Sequence, residues 1–108
     1  MLKRSGDLDL MFQALADPAR RSMVERMTHG PASLGQLAEP LTMSLPAVAQ
    51  HLRVLVLSGL VTTRKVGRQR ICELDGAALR LVGRWLSGRT FWENCLENLG
   101  DYLGEKEN

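Results

Sequence analysis

Gln50, His51 and Arg53 interrupt an otherwise aliphatic stretch, SLPAVAQHLRVLVLSGLV over residues 44–61, and Arg64, Lys65, Arg68 and Arg70 follow closely behind. From Pro40 to Cys72 the chain carries five basic residues and no acid. Such a set has no carboxylate with which to move protons, but it is well supplied with hydrogen-bond donors for a polyanion. Gln pairs bidentately with adenine, Arg with N7 and O6 of guanine, and a small Ala or Pro can meet a thymine methyl. An acid on the same face would repel the phosphates that flank a groove. A solvated helix face is the plainer reading of any charge run, and the elements around these residues must decide between the two.

Other chemistries find little support. No histidine stands beside a plausible nucleophile, no glycine-rich loop is built to cradle phosphate, and an enzyme is not expected. Two cysteines 23 residues apart, without CxxC spacing and with only two histidines in the chain, make neither a zinc site nor a disulfide framework. No metal and no cofactor is therefore expected. Cys72 shares a strand face with Leu74 and reads as a small buried residue, or as a thiol activated by Arg68 and Arg70. Cys95, among Phe91, Trp92, Leu96 and Leu99, reads as a core or interface residue, or as one half of an intersubunit disulfide.

The totals are those of one ordinary soluble domain spanning residues 1–108, with 44% apolar and 24% charged residues. No secretory signal opens the chain and no apolar run approaches a membrane span, so a cytoplasmic location without membrane contact is expected. The net charge of +2 is unevenly spread, because residues 91–108 hold five acids against one lysine. The basic part is the middle.

The elements that position that middle are marked by local chemistry. Leu8, Met11, Phe12 and Leu15 have helical spacing. Asp17-Pro18 then starts a second helix, with Asp accepting orphan N–H groups and Pro at the first position, where no N–H is needed. That helix stops at Gly30-Pro31. Ser33 with Gln36 forms a capping-box pattern for a short third helix, which Pro40 ends. Ser44 caps a fourth, with Pro46 in its first turn and Gly59 at its end. VTTRKVGRQRICEL, β-branched on both sides of Gly67, reads as a hairpin with a basic tip. From Ala77 onward helical spacing returns, in one long helix or in two broken near Ser87-Gly88.

At 100° per residue, Val48, Leu52 and Leu55 of the fourth helix share a narrow arc that should face the core. Pro46, Ala47, Ala49, Gln50, Arg53, Val54 and Leu57 fall opposite, with His51 on the flank. The expected fold is mostly α with a small β-hairpin, a winged helix-turn-helix of about five helices plus a two-stranded wing. Expected DNA contacts are Ser44, Pro46, Ala47, Gln50, His51 and Arg53 from the fourth helix. Arg64, Lys65, Arg68 and Arg70 of the wing are expected on phosphates or in the minor groove. His51 equally suits a packed histidine. Arg20 and Arg21 suit either backbone contacts or pairing with Asp17 or Glu25. The apolar residues Val54, Val56 and Leu57 exceed what the core requires.

Trp85, Trp92 and Leu99 recur every seven residues, and Leu96 and Leu103 form a second such row. The stripe either covers the domain's own core or pairs with a second copy. A twofold dimer would also supply the two recognition helices that a palindrome needs. Residues 8–16 and 77–104 are the expected dimerisation helices, with Leu8, Met11 and Phe12 joining Trp85, Trp92, Leu96, Leu99 and Leu103.

Three segments in order, ALADPARRSMVERM, SLGQLAEPLTMSLPAVAQHLRVL and SGLVTTRKVGRQRICEL, resemble the ArsR-type winged-helix repressors of bacteria over about residues 14–74. The resemblance implies a homodimer, paired through its first and last helices, that binds an imperfect palindrome and represses transcription. Metal sensing does not carry over. The family's paired cysteines would lie on the helix corresponding to Ser33–Glu39, which has none. A second family site needs histidines on the last helix, and none follows His51. Small-molecule or metal inducers are thus not evident. The expected partners are double-stranded DNA and a second copy of the chain. The alternatives are a winged helix that docks a protein, and a repressor that responds to thiol oxidation through Cys72 or Cys95.

Overall fold

The order of elements follows from where the chain can satisfy its own helix ends. A computed structural model describes the backbone of residues 2–107 and the side chains of residues 7–88, 93–101 and 103–104. Helix α1 spans Leu2–Leu15 and α2 Pro18–Met27. The Asp17 carboxylate caps α2 by accepting from the N–H groups of Ala19 at 2.8 Å and Arg20 at 3.1 Å. Strand β1, Ala32–Ser33, leads into α3, Leu34–Ala38. Here the capping box is complete: Ser33 Oγ accepts from the Gln36 N–H, and the Gln36 side chain accepts from the Ser33 N–H. Replacing Ser33 by alanine should cost about 1 kcal/mol of unfolding free energy, the usual worth of such a cap, read as a lower urea midpoint at unchanged slope.

Helix α4 runs Leu45–Leu57 with Ser44 as N-cap. Ser58 is the one buried polar residue among those described; its Oγ donates to the Leu55 carbonyl and accepts from the Leu60 N–H, turning the chain into the wing. Gly59, at φ +88°, supplies the left-handed residue of that turn. The wing strands are β2, Val61–Val66, and β3, Gln69–Leu74. Gly67 has φ +63° and Arg68 a negative φ, the type II′ pattern for a two-residue hairpin loop.

The sheet has three strands in the order β1-β3-β2, all antiparallel. This extends the two-stranded wing expected from sequence: Ala32 pairs with Cys72 and Ser33 with Ile71, which ties the start of the helix-turn-helix to the wing. A final pair of helices, α5 (Gly76–Ser87) and α6 (Arg89–Glu107), separates at Gly88, where ψ swings to 111°. The described residues therefore hold six helices rather than about five. Met23, Leu37, Val48, Leu55, Leu60, Val61 and Cys72 form the fully buried centre, so α2, α3, α4 and both wing strands share one core. Among the described residues no helix is long and apolar enough to cross a membrane.

Candidate nucleic-acid interface

Helix α4 is held to the domain by Val48, Leu52 and Leu55, the arc expected from its periodicity. Leu45, Pro46, Gln50, Arg53, Val56 and Leu57 are exposed, and Ala47, Ala49, His51 and Val54 are half-buried. The outward face is thus rotated from the sequence reading. Val54 packs on the core and Ala47 turns partly inward, while Leu45 and Val56 join the exposed side. Gln50 and Arg53 stay outward. Neither has a hydrogen-bond or ion-pair partner among the described residues, which leaves both side chains available to a ligand.

His51 is tied inward. Its Nδ1 lies 3.2 Å from an Arg20 guanidinium nitrogen and 4.0 Å from the Asp17 carboxylate. Arg20 also donates to the carbonyls of Ala14 at 2.6 Å and Gln13 at 3.2 Å, and Arg21 donates to Leu15 at 2.8 Å. Both arginines therefore cap the C-terminal carbonyls of α1, a role that neither sequence alternative included. Through His51, Arg20 also fixes the flank of α4 to the α1–α2 corner. The signal was present in the helix boundary: two arginines in the first turn of α2 stand within reach of the orphan carbonyls ending α1.

Asp17 sits at the centre of this corner. Backbone N–H donation from Arg20 is the largest influence on its carboxyl and holds its pKa below the ordinary 3.8, with Ala19, His51 and Arg20 adding to the effect against a smaller opposing desolvation. A lowered folded-state pKa stabilises the fold fully above the unfolded value and progressively less as pH falls through the folded one. Thermal midpoints of wild type and Asp17→Ala should therefore differ at neutral pH and converge below pH 3.8.

Strand register divides the basic residues of the wing. Lys65 pairs with Arg70, and Thr63 with Cys72, so these four share the face that carries buried Val61 and Cys72 and looks toward α4. Arg64 is on the other face, where it meets Glu73 at 3.5 Å. Arg68 occupies the turn itself and is exposed. Among the described residues the wing thus offers Lys65, Arg68 and Arg70 unpaired, whereas Arg64 already holds an exposed counter-ion.

Of the residues expected at a dimer interface, Met11 is 5% exposed and belongs to the protomer's own core. Leu8 and Phe12 are half-buried beside it, and the Phe12 ring meets Trp85 edge-on at 5.3 Å within one chain. Leu96, Leu99 and Leu103 are 67%, 53% and 47% exposed. The Trp92 side chain lies outside the described residues. Cys72 is fully buried, and desolvation pushes its thiol pKa up despite the opposing pull of Arg70. A thiol in that setting is a poor nucleophile, so the activated reading from sequence does not fit it. Cys95 is exposed. Among the described residues no group of three His, Cys, Asp or Glu side chains converges as metal ligands would.

Comparison with known proteins gives the same picture of the helix-turn-helix. Residues 15–64 match a family model described as a helix-turn-helix domain. The chain is 44% identical over 98 residues to the HTH-type transcriptional regulator Rv2034 of Mycobacterium tuberculosis, covering 86% of this chain and 92% of that one. It is 32% identical over 83 residues to the biofilm growth-associated repressor of Agrobacterium fabrum, covering 76% and 71%. The crystal structure of the ArsR family transcriptional regulator RHA00566 superposes with a TM-score of 0.72 at 40% identity, covering 81% of this chain and 91% of its own.

Proposed function

The chain belongs to the ArsR family of winged helix-turn-helix transcriptional regulators, DNA-binding proteins, and on that premise we propose that it acts as a homodimer that represses transcription from a palindromic operator. The observation that carries this reading is the pairing of an acid-free, outward α4 face with a wing whose Lys65, Arg68 and Arg70 have no partner among the described residues. Gln50 and Arg53 read base edges in the major groove, with Ser44, Pro46 and Ala47 at the N-terminal end of the helix letting the backbone approach closely. Lys65, Arg68 and Arg70 hold phosphates. Arg64 joins them by exchanging Glu73 for a phosphate, and His51 acts through the orientation of α4.

The dimer is supported by α6, whose described residues from Glu93 to Asp101 are all exposed in the single chain. A helix that buries so little of its own leucine row is stabilised by a second copy, and α5, against which α1 packs, lies at its base. Selection from a random duplex pool, followed by footprinting, tests the function. The expected product is a palindrome with half-sites one helical turn apart, bound at least about tenfold more tightly than random DNA at physiological salt. Failure to enrich any sequence sinks the proposal. A protein-docking role draws on Leu57, 69% exposed at the end of α4, and would show as stoichiometric capture of one protein without DNA binding.

A further inference from the structure

Between α4 and the wing lies an open groove of about 440 Å³, walled by Leu34, Leu52, Val56 and Leu57 and edged by Gln50, Arg53, Thr63 and Arg70. Its volume falls in the range of small-ligand sites, and its make-up, an apolar floor with a few convergent polar groups, is theirs as well. A surface that only tracked phosphates would have no use for that floor. Arg53 enters from the helix and Arg70 from the wing, no acid lines the groove, and neither guanidinium has an ion-pair or hydrogen-bond partner among the described residues.

We propose that this groove binds an amphipathic organic monocarboxylate, with Arg53 and Arg70 on the carboxylate and the hydrocarbon part against Val56, Leu57 and Leu34, and that its occupation excludes DNA. Charge complementarity selects the anion, since a guanidinium fork matches a carboxylate bidentately. The apolar wall selects against small anions such as acetate or inorganic phosphate, and the volume suits a chain of about six to ten carbons. Exclusion of DNA follows because Arg53 and Arg70 are the groups assigned above to base and phosphate. This part rests on that assignment; the binding itself does not. The effector site would then be the DNA-reading surface, so release needs no conformational change.

Octanoate, octanol and acetate at matched ionic strength are the probes, added to the full chain and followed by amide NMR. Octanoate should shift Gln50, Arg53, Val56, Thr63 and Arg70 saturably, with octanol and acetate at least about tenfold weaker. Val56→Glu, which places a competing carboxylate on the wall, and Arg70→Gln should each weaken octanoate by about tenfold or more while the remaining spectrum stays folded. Octanoate should also displace a labelled duplex at the concentration that saturates the shifts. Equal binding of octanol, shifts outside the groove, or no saturable change below about 10 mM overturns the site. Simultaneous binding of octanoate and duplex overturns the exclusion. A chain that takes octanoate in the groove but binds no duplex sinks the DNA reading and leaves the carboxylate site standing.

Discussion

Replacing Leu96 and Leu99 together by glutamate is expected to leave a folded protomer that no longer pairs and no longer holds its operator. Both side chains are more than half exposed in the single chain, so their loss removes little from the protomer core. In the proposed homodimer their value lies in a second copy. Each leucine has roughly half its surface left to bury, so the four in a twofold dimer forfeit roughly 4 kcal/mol at the low end of the usual transfer range. That corresponds to about a thousandfold in the dimer dissociation constant, before any repulsion with Glu93 and Glu97 is added. On the proposed palindrome, operator affinity is expected to fall with it, because a monomer occupies one half-site and makes half the phosphate contacts. Sedimentation velocity and circular dichroism check the two halves of the expectation. A variant that still sediments as a dimer would place the interface elsewhere, and one that monomerises yet binds the full palindrome undiminished would refute the twofold mode.

The leucine row on α6 was legible in the sequence because it repeats every seven residues, yet periodicity cannot say which molecule covers an apolar stripe. The structure narrows the choice, because the described residues of α6 from Glu93 to Asp101 are exposed and are not spent on the protomer's own core. Helix starts were legible for a different reason. Asp17-Pro18, Ser33 with Gln36, and Ser44 each act on their own backbone within three residues, so the chemistry that sets them is local. Strand β1 was not legible, since two residues carry no period and exist as a strand only through Ala32 and Ser33 pairing with β3. Met11 shows the same limit. Its spacing placed it on the apolar face of α1, but not whether that face met the core or a partner.

The division of the wing was within reach of sequence and was missed. Once Gly67 and Arg68 are taken as a two-residue turn, Val66 must face Gln69, and counting outward puts Lys65 against Arg70 and Arg64 near Glu73. Grouping the four basic residues by charge alone hid the alternation that period two imposes. His51 was beyond such counting, because its partners Arg20 and Asp17 come from a corner formed by two other helices.

That division gives the contrast between Arg53→Ala and Arg68→Ala its force. Arg53 projects from α4 without a partner among the described residues, and in the proposed complex its guanidinium takes both acceptors of a guanine. Its loss should cost about 1 to 3 kcal/mol on the selected operator and almost nothing on random duplex, so discrimination collapses at one base position. Arg68 sits at the wing tip, with no base edge specified for it. Its loss should weaken every duplex alike and reduce the slope of log affinity against log salt by about 0.9, the signature of one released counter-ion. Titrations of both variants at several salt concentrations, on operator and random DNA, separate the roles. Arg64→Ala should fall below both, because forming its phosphate contact first breaks the pair with Glu73 and returns a carboxylate to the wing surface. If Arg68→Ala relaxed sequence preference while Arg53→Ala only flattened the salt dependence, the helix and the wing would have exchanged tasks, and the groove between them would have to be reoriented with respect to DNA.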